Sequence, residues 1–97
     1  MPEVRIPTIL RTYTSDQRAV DAIGDTVAAV IDDLEVNFAG IRERLLENDE
    51  VRRFVNIYVD DEDIRFTGGL TTAVKESSTV VILPAVAGGS AAIENRG

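Results

Sequence analysis

Four stretches carry residues whose types and spacing could do chemistry. They are the acidic run Asp60-Asp61-Glu62-Asp63, the glycine pair Gly68-Gly69, the serine pair Ser77-Ser78 and a second glycine pair, Gly88-Gly89. The acidic run offers the carboxylates that calcium prefers. It lacks the alternating ligands, central glycine and distal glutamate of a calcium loop, so it reads as a solvated hairpin turn with no metal. Gly68-Gly69 has no following lysine and hydroxyl to make a phosphate loop, and reads as a turn needing positive φ. The chain contains neither cysteine nor histidine. Disulfides, thiol catalysis, Cys or His zinc sites and imidazole acid–base chemistry are therefore excluded, and Ser77-Ser78 has no base to activate it. Gly88-Gly89 follows a strongly apolar strand pattern and begins a small polar tail. By pattern alone it reads as a flexible linker or turn rather than a reactive end.

The rest of the chain must position whichever of these acts. With 97 residues it is expected to form one domain with a modest core and no spacious internal site. Its formal net charge is −7, from 17 acidic and 10 basic residues. That disfavours nucleic acid and anionic membrane surfaces, and suits either a basic protein partner or solubility alone. The N-terminal MPEVRIPTIL lacks the pattern of a signal peptide, and no apolar stretch approaches the length of a membrane span. The expected location is the cytoplasm.

Val4, Ile6, Thr8 and Leu10 alternate with Arg5, Pro7, Ile9 and Arg11, which predicts a half-buried strand. After a polar turn over 12–16, residues 17–23 predict a second strand, with Ala19 or Val20 inward, completing a hairpin. Asp25 is the predicted N-cap of a helix carrying Val27, Val30, Ile31, Leu34 and Phe38 on one face, with Gly40 near its end. A short helical stretch over 41–46 and a polar loop over 47–50 follow. Residues 53–59 (RFVNIYV) read as a strand, 63–66 as a short returning strand, and 70–74 as one helical turn. Residues 79–83 (TVVIL) read as a central strand buried on both faces. The order β-β-α-(α)-β-β-(turn)-β predicts an α+β layer structure with the helix on one sheet face.

The segment from Arg53 to Gly89, RFVNIYVDDEDIRFTGGLTTAVKESSTVVILPAVAGG, resembles the C-terminal half of the MoaD/ThiS superfamily of ubiquitin-like sulfur carriers. Within it the likeness is to actinobacterial CysO-type carriers of cysteine biosynthesis. IPTILR (Ile6 to Arg11), Gly24-Asp25-Thr26 and Asp33-Leu34-Glu35 fit the same group, so the resemblance runs from about residue 4 to residue 89.

That resemblance implies a ubiquitin-like β-grasp fold: a mixed sheet of four to five strands with one main helix packed on one face. Residues 1–89 would form the domain with its Gly-Gly tail, and 90–97 a flexible extension. It implies a protein with no catalytic site of its own and no bound cofactor. An E1-like adenylating enzyme of MoeB/ThiF type would use ATP to adenylate the Gly89 carboxylate. Sulfur would displace AMP, and a sulfur-accepting synthase, cysteine synthase-like or another thiolating enzyme, would use the thiocarboxylate. Val86, Ala87, Gly88 and Gly89 would thread the partner's site, and Phe66, Leu70, Pro84 and Val86 are candidate docking residues. Free carrier is expected to be monomeric. Activation needs a free Gly89 carboxylate, whereas the chain continues as Ser90 to Gly97. That stretch is either an expression remnant or a pro-tail removed by a JAMM-type metalloprotease, unless the chain is no longer a carrier. The alternatives are the small subunit of molybdopterin synthase and a ubiquitin-like protein modifier.

Overall fold

The computed structural model describes residues 1–84. Glu3–Arg5 forms the first strand, β1, paired antiparallel with Ala19–Asp21, β2, so that Val4 lies opposite Val20. Val4, Ile6, Val20 and Ala22 are buried. The strand predicted through Leu10 stops sooner. Pro7 offers no N–H to a ladder, and from it the chain turns into a 3-10 helix over Thr8–Tyr13. Leu10 still reaches the core, with its N–H donating to Pro7 O at 2.9 Å, but Thr8 is exposed. The second strand is likewise shorter than its predicted span.

The main helix, α1, spans Val27–Asn37 and buries Val27, Val30, Ile31 and Leu34, the predicted face. Its cap is Thr26 rather than Asp25: extended Thr26 accepts at its side-chain oxygen from Ala29 N at 3.1 Å. Gly40, at φ 99°, turns the chain into a second helix, α2, over Ile41–Leu45. The Glu35 carboxylate organises this junction, accepting from Gly40 N at 3.0 Å and Arg42 N at 2.9 Å. Those two donors hold its pKa below the ordinary carboxylate range.

The expected 47–50 loop is a small hairpin, Leu46–Glu47 (β3) with Glu50–Val51 (β4), closed by Asn48 and Asp49 at positive φ. Val55–Val59 forms β5, and Asp60 and Asp61, at φ 51° and 72°, turn it into Glu62–Asp63, β6. The returning strand predicted over 63–66 is instead a 3-10 turn, Ile64–Phe66, because the Asp63 carboxylate caps it through Arg65 N at 2.9 Å. A further 3-10 turn, Gly69–Thr71, follows the positive-φ pair Gly68-Gly69.

Thr79–Pro84, β7, runs parallel to β1 and antiparallel to β5. It is the central strand of the mixed sheet β2-β1-β7-β5-β6. Only alternate residues of it are buried: Val80 and Ile82 face the α1 side with Ile57 and Val59. Val81 is half-buried and Leu83 is exposed. The expectation of burial on both faces is thus corrected, since helices cover only one side of this sheet and the run TVVIL anchors through two residues. A five-stranded mixed sheet with one main helix on one face is the β-grasp arrangement.

Candidate functional site

Pro84 is where the described chain reaches the approach to Gly88-Gly89. The sheet register decides what surrounds it. β1 is parallel to β7, so its end, Arg5, lies beside Val81 and leads into Ile6 and Pro7 near the exit. β5 is antiparallel, so its start, Val55, lies opposite Pro84. Two grooves flank Pro84. One, of about 170 Å³, is apolar and is lined by Pro7, Ile9, Leu10, Phe54, Val55 and Leu83, with Arg44 and Arg52 at its side. The other, of about 510 Å³, lies toward β1 and β2 and carries Arg5, Arg11 and Arg18 beside Ile9 and Leu83. Neither groove is lined by an aspartate or glutamate.

The arginines are held by local contacts. Arg11 Nε donates to Ile6 O at 3.2 Å, and Arg52 Nε donates to Glu43 O at 2.7 Å. Arg44 Nε donates to Tyr13 Oη at 2.6 Å, with its guanidinium carbon 5.7 Å from that ring's centre. Arg5 and Arg52 approach Glu3 and Glu47 at 3.7 and 3.5 Å, long surface pairs of small energy.

The three docking candidates among the described residues, Phe66, Leu70 and Pro84, do not line one groove. Pro84 lines both grooves. Leu70 is half-buried against the core and lines a separate cavity of about 380 Å³ with Ile57 and Ile64. Phe66 is 85% exposed on its 3-10 turn, and lines none of these hollows. Val86, Ala87, Gly88 and Gly89, and the extension 90–97, lie outside the described residues. Ile9, Phe54 and Leu83, exposed beside Pro84, were missed in the sequence. The signal for Ile9 and Leu83 was their odd phase in the alternations they belong to.

The remaining candidates sit at the other end of β7. The Asp60 carboxylate accepts from Ser78 Oγ at 2.8 Å and from Thr79 N at 3.0 Å, which hold its pKa down. Asp63 is held low by Arg65, whose guanidinium is 2.6 Å away. These carboxylates have structural partners, and no cluster able to hold a metal ion occurs among the described residues. Lys75, the chain's single lysine, lies in the turn before β7, where its N–H donates to Ser78 Oγ at 2.9 Å. No helix among the described residues is long and apolar enough to cross a membrane.

The ThiS family profile matches residues 4–89. The chain belongs to the ThiS family. Family relatives give the likeness its detail. Sulfur carrier protein CysO of Mycobacterium tuberculosis (strain H37Rv) is 58% identical over 89 residues, covering 89% of this chain and 96% of that protein. Its crystal structure matches with a TM-score of 0.85 at 55% identity, covering 89% of this chain and 100% of that one. A chain of the Amycolatopsis orientalis BexX/CysO complex matches with a TM-score of 0.87 at 53% identity, covering 92% of this chain and 100% of that one. Small archaeal modifier protein 3 of Haloferax volcanii is 34% identical over 64 residues, covering 66% of this chain and 70% of that protein. The expected family and β-grasp fold are borne out.

Proposed function

We infer that this chain is a sulfur carrier protein whose cargo is bound at the main-chain carboxylate of Gly89, serving cysteine formation. The observation that carries this is the 58% identity to CysO across 96% of that protein and 89% of this chain. In the proposed cycle a Gly89 carboxylate oxygen attacks the α-phosphorus of ATP and pyrophosphate leaves. Sulfide then attacks the acyl carbon and AMP leaves, so a thiocarboxylate remains. The groups that stabilise these steps belong to an adenylating enzyme of MoeB/ThiF type, so the carrier needs no catalytic site of its own. The absence of thiols and imidazoles in the chain is compatible with that division of labour. A cysteine synthase-like enzyme would then take the sulfur. Use of ATP sets the step in the cytoplasm.

Gly89 stands five residues beyond Pro84, a reach of at most about 17 Å. Gly88 and Gly89 carry no side chain to obstruct passage into a narrow site. The reaction requires a free carboxylate there, so the Gly89–Ser90 bond must be cut first, by a JAMM-type metalloprotease if the extension is natural.

The test is intact mass. The chain ending at Gly89 is incubated with the adenylating enzyme, ATP and sulfide. One oxygen-to-sulfur exchange is expected, and it is abolished when ATP is omitted. Unchanged mass with an enzyme active on another carrier would sink the reading. The likeness to an archaeal modifier favours a second reading, in which Gly89 joins a lysine of another protein; stable conjugates in place of thiocarboxylate would support it. Recovery of the chain bound to a pterin-handling large subunit would instead favour the molybdopterin synthase assignment.

A further inference from the structure

The charge of this protein is segregated along its central strand. Arg5, Arg11, Arg18, Arg44 and Arg52 line the two grooves at Pro84, five of the chain's 10 basic residues, and none of its 17 acidic residues lines either groove. Acids gather at the far end of β5, where Asp60 and Asp61 make the turn into Glu62 and Asp63, while Glu3, opposite Asp21 and Thr79, approaches Arg5 at 3.7 Å. A chain of net charge −7 therefore presents a cationic end, and that end is the one from which the tail departs. Ile9 at 67% exposure, Phe54 at 54% and Leu83 at 44% supply apolar surface in the middle of it.

We propose that this end docks on a protein surface with an apolar centre ringed by aspartate and glutamate side chains, the rim of the site that receives the tail. The proposal rests on the carrier reading above and reverses the partner charge that overall composition suggested. Arg11, Arg18 and Arg44 have no carboxylate within 4.0 Å among the described residues, so they are open to carboxylates from outside. Arginine is the cation suited to such pairing, being weakly hydrated and able to bind a carboxylate through two N–H groups. A nucleic acid would meet net repulsion from the rest of the molecule. A carboxylate-rimmed partner instead feels attraction at one end and repulsion at the other, which orients the encounter with the tail foremost.

The experiment measures affinity of the chain ending at Gly89 for the adenylating enzyme at about 0.05 M and about 0.5 M NaCl. Arg18 and Arg44 are both exposed and stand one on each side of Pro84. The pair Arg18→Glu with Arg44→Glu is expected to weaken binding at least about tenfold at low salt, and less at high salt. Arg18→Gln with Arg44→Gln should fall between. Asp61→Arg with Glu62→Arg, at the far end, should stay within about twofold of the parent. Thermal melts establish that each variant is folded. Unchanged or tighter binding by the tail-end reversal, or equal weakening by the far-end reversal, would overturn the proposal. If the parent still acquires sulfur in either case, the docking surface falls alone. If the parent neither binds nor acquires sulfur, the carrier reading falls and the docking surface with it.

Discussion

Ser78 and Asp60 are 18 residues apart and meet across the far end of the sheet, Oγ donating to Oδ2 at 2.8 Å. The same serine oxygen accepts from Lys75 N, and the other carboxylate oxygen accepts from Thr79 N. The turn between β5 and β6 is thereby fastened to the start of the central strand. Because Ser78 is only 3% exposed, water cannot readily replace these partners. Ser78→Ala should lower stability by about 1–2 kcal/mol, measured by urea unfolding. Asp60→Ala should also lower the melting temperature. No change in either would mean that the contact contributes nothing.

Acid should unfold this protein through a small set of carboxylates. Glu35, held down by the Gly40 and Arg42 N–H groups, Asp60, by Thr79 and Ser78, and Asp63, by Arg65, all have folded pKa values below their unfolded ones. Their contribution is present above the unfolded values, near about 4, and is lost as pH falls through the folded values. Melting temperature should be nearly level from about pH 7 to about pH 5 and decline below about pH 4. Glu35→Gln should show a lower plateau and a shallower decline. An acid limb unaltered in that variant would remove Glu35 from the set.

Two glycines should respond very differently to alanine. A Cβ on Gly24 would meet Val30 N at 2.6 Å and Ala29 C at 2.8 Å, both backbone atoms of α1. Gly24→Ala must shift the helix start and should cost more than about 2 kcal/mol. Gly69, at φ 62°, has nothing within 4 Å of an added Cβ, so Gly69→Ala should cost only the left-handed conformation, about 1 kcal/mol. Chemical denaturation of both variants checks the order, which reversal would refute.

Leu34 and Phe66 are the equivalent pair among apolar side chains. Leu34 is 1% exposed in the core, and Leu34→Ala should cost about 2–5 kcal/mol. Phe66 is 85% exposed, and Phe66→Ser should change stability by less than about 0.5 kcal/mol. A large loss from Phe66→Ser would show that it packs after all.

Periodicity made α1, β5 and the central strand legible, because each has enough turns or alternations to fix a face. It misled between Ile6 and Leu10, where a Pro7-initiated 3-10 turn buries the same two residues that a strand would. It also overstated burial of β7: Val81 and Leu83 are apolar yet lie on the open face. The arginine cluster was invisible for a different reason. Its members come from five separate places in the chain. The β1–β7 and β5–β7 registers bring Arg5 and Arg52 near Pro84, and the 3-10 helix carries Arg11. Ile6 N donating to Arg18 O places Arg18, and the Tyr13 contact holds Arg44. Net charge, an average over the whole chain, had the opposite sign.

Lys75 lies at the far end of β7 from Pro84, while every base lining the two grooves is arginine. A guanidinium stays protonated under all physiological conditions and has no lone pair to offer, whereas a small fraction of any lysine is a free amine. Under the proposed cycle, a glycyl adenylate borne on the chain beyond Pro84 would meet arginines that attract a partner but cannot attack its acyl carbon. Arg44→Lys keeps the charge and adds the amine; loss of one water from the mass during activation would reveal the self-acylation that the native arrangement avoids. Among the described residues, the grooves at Pro84 thus offer positive charge without an amine nucleophile.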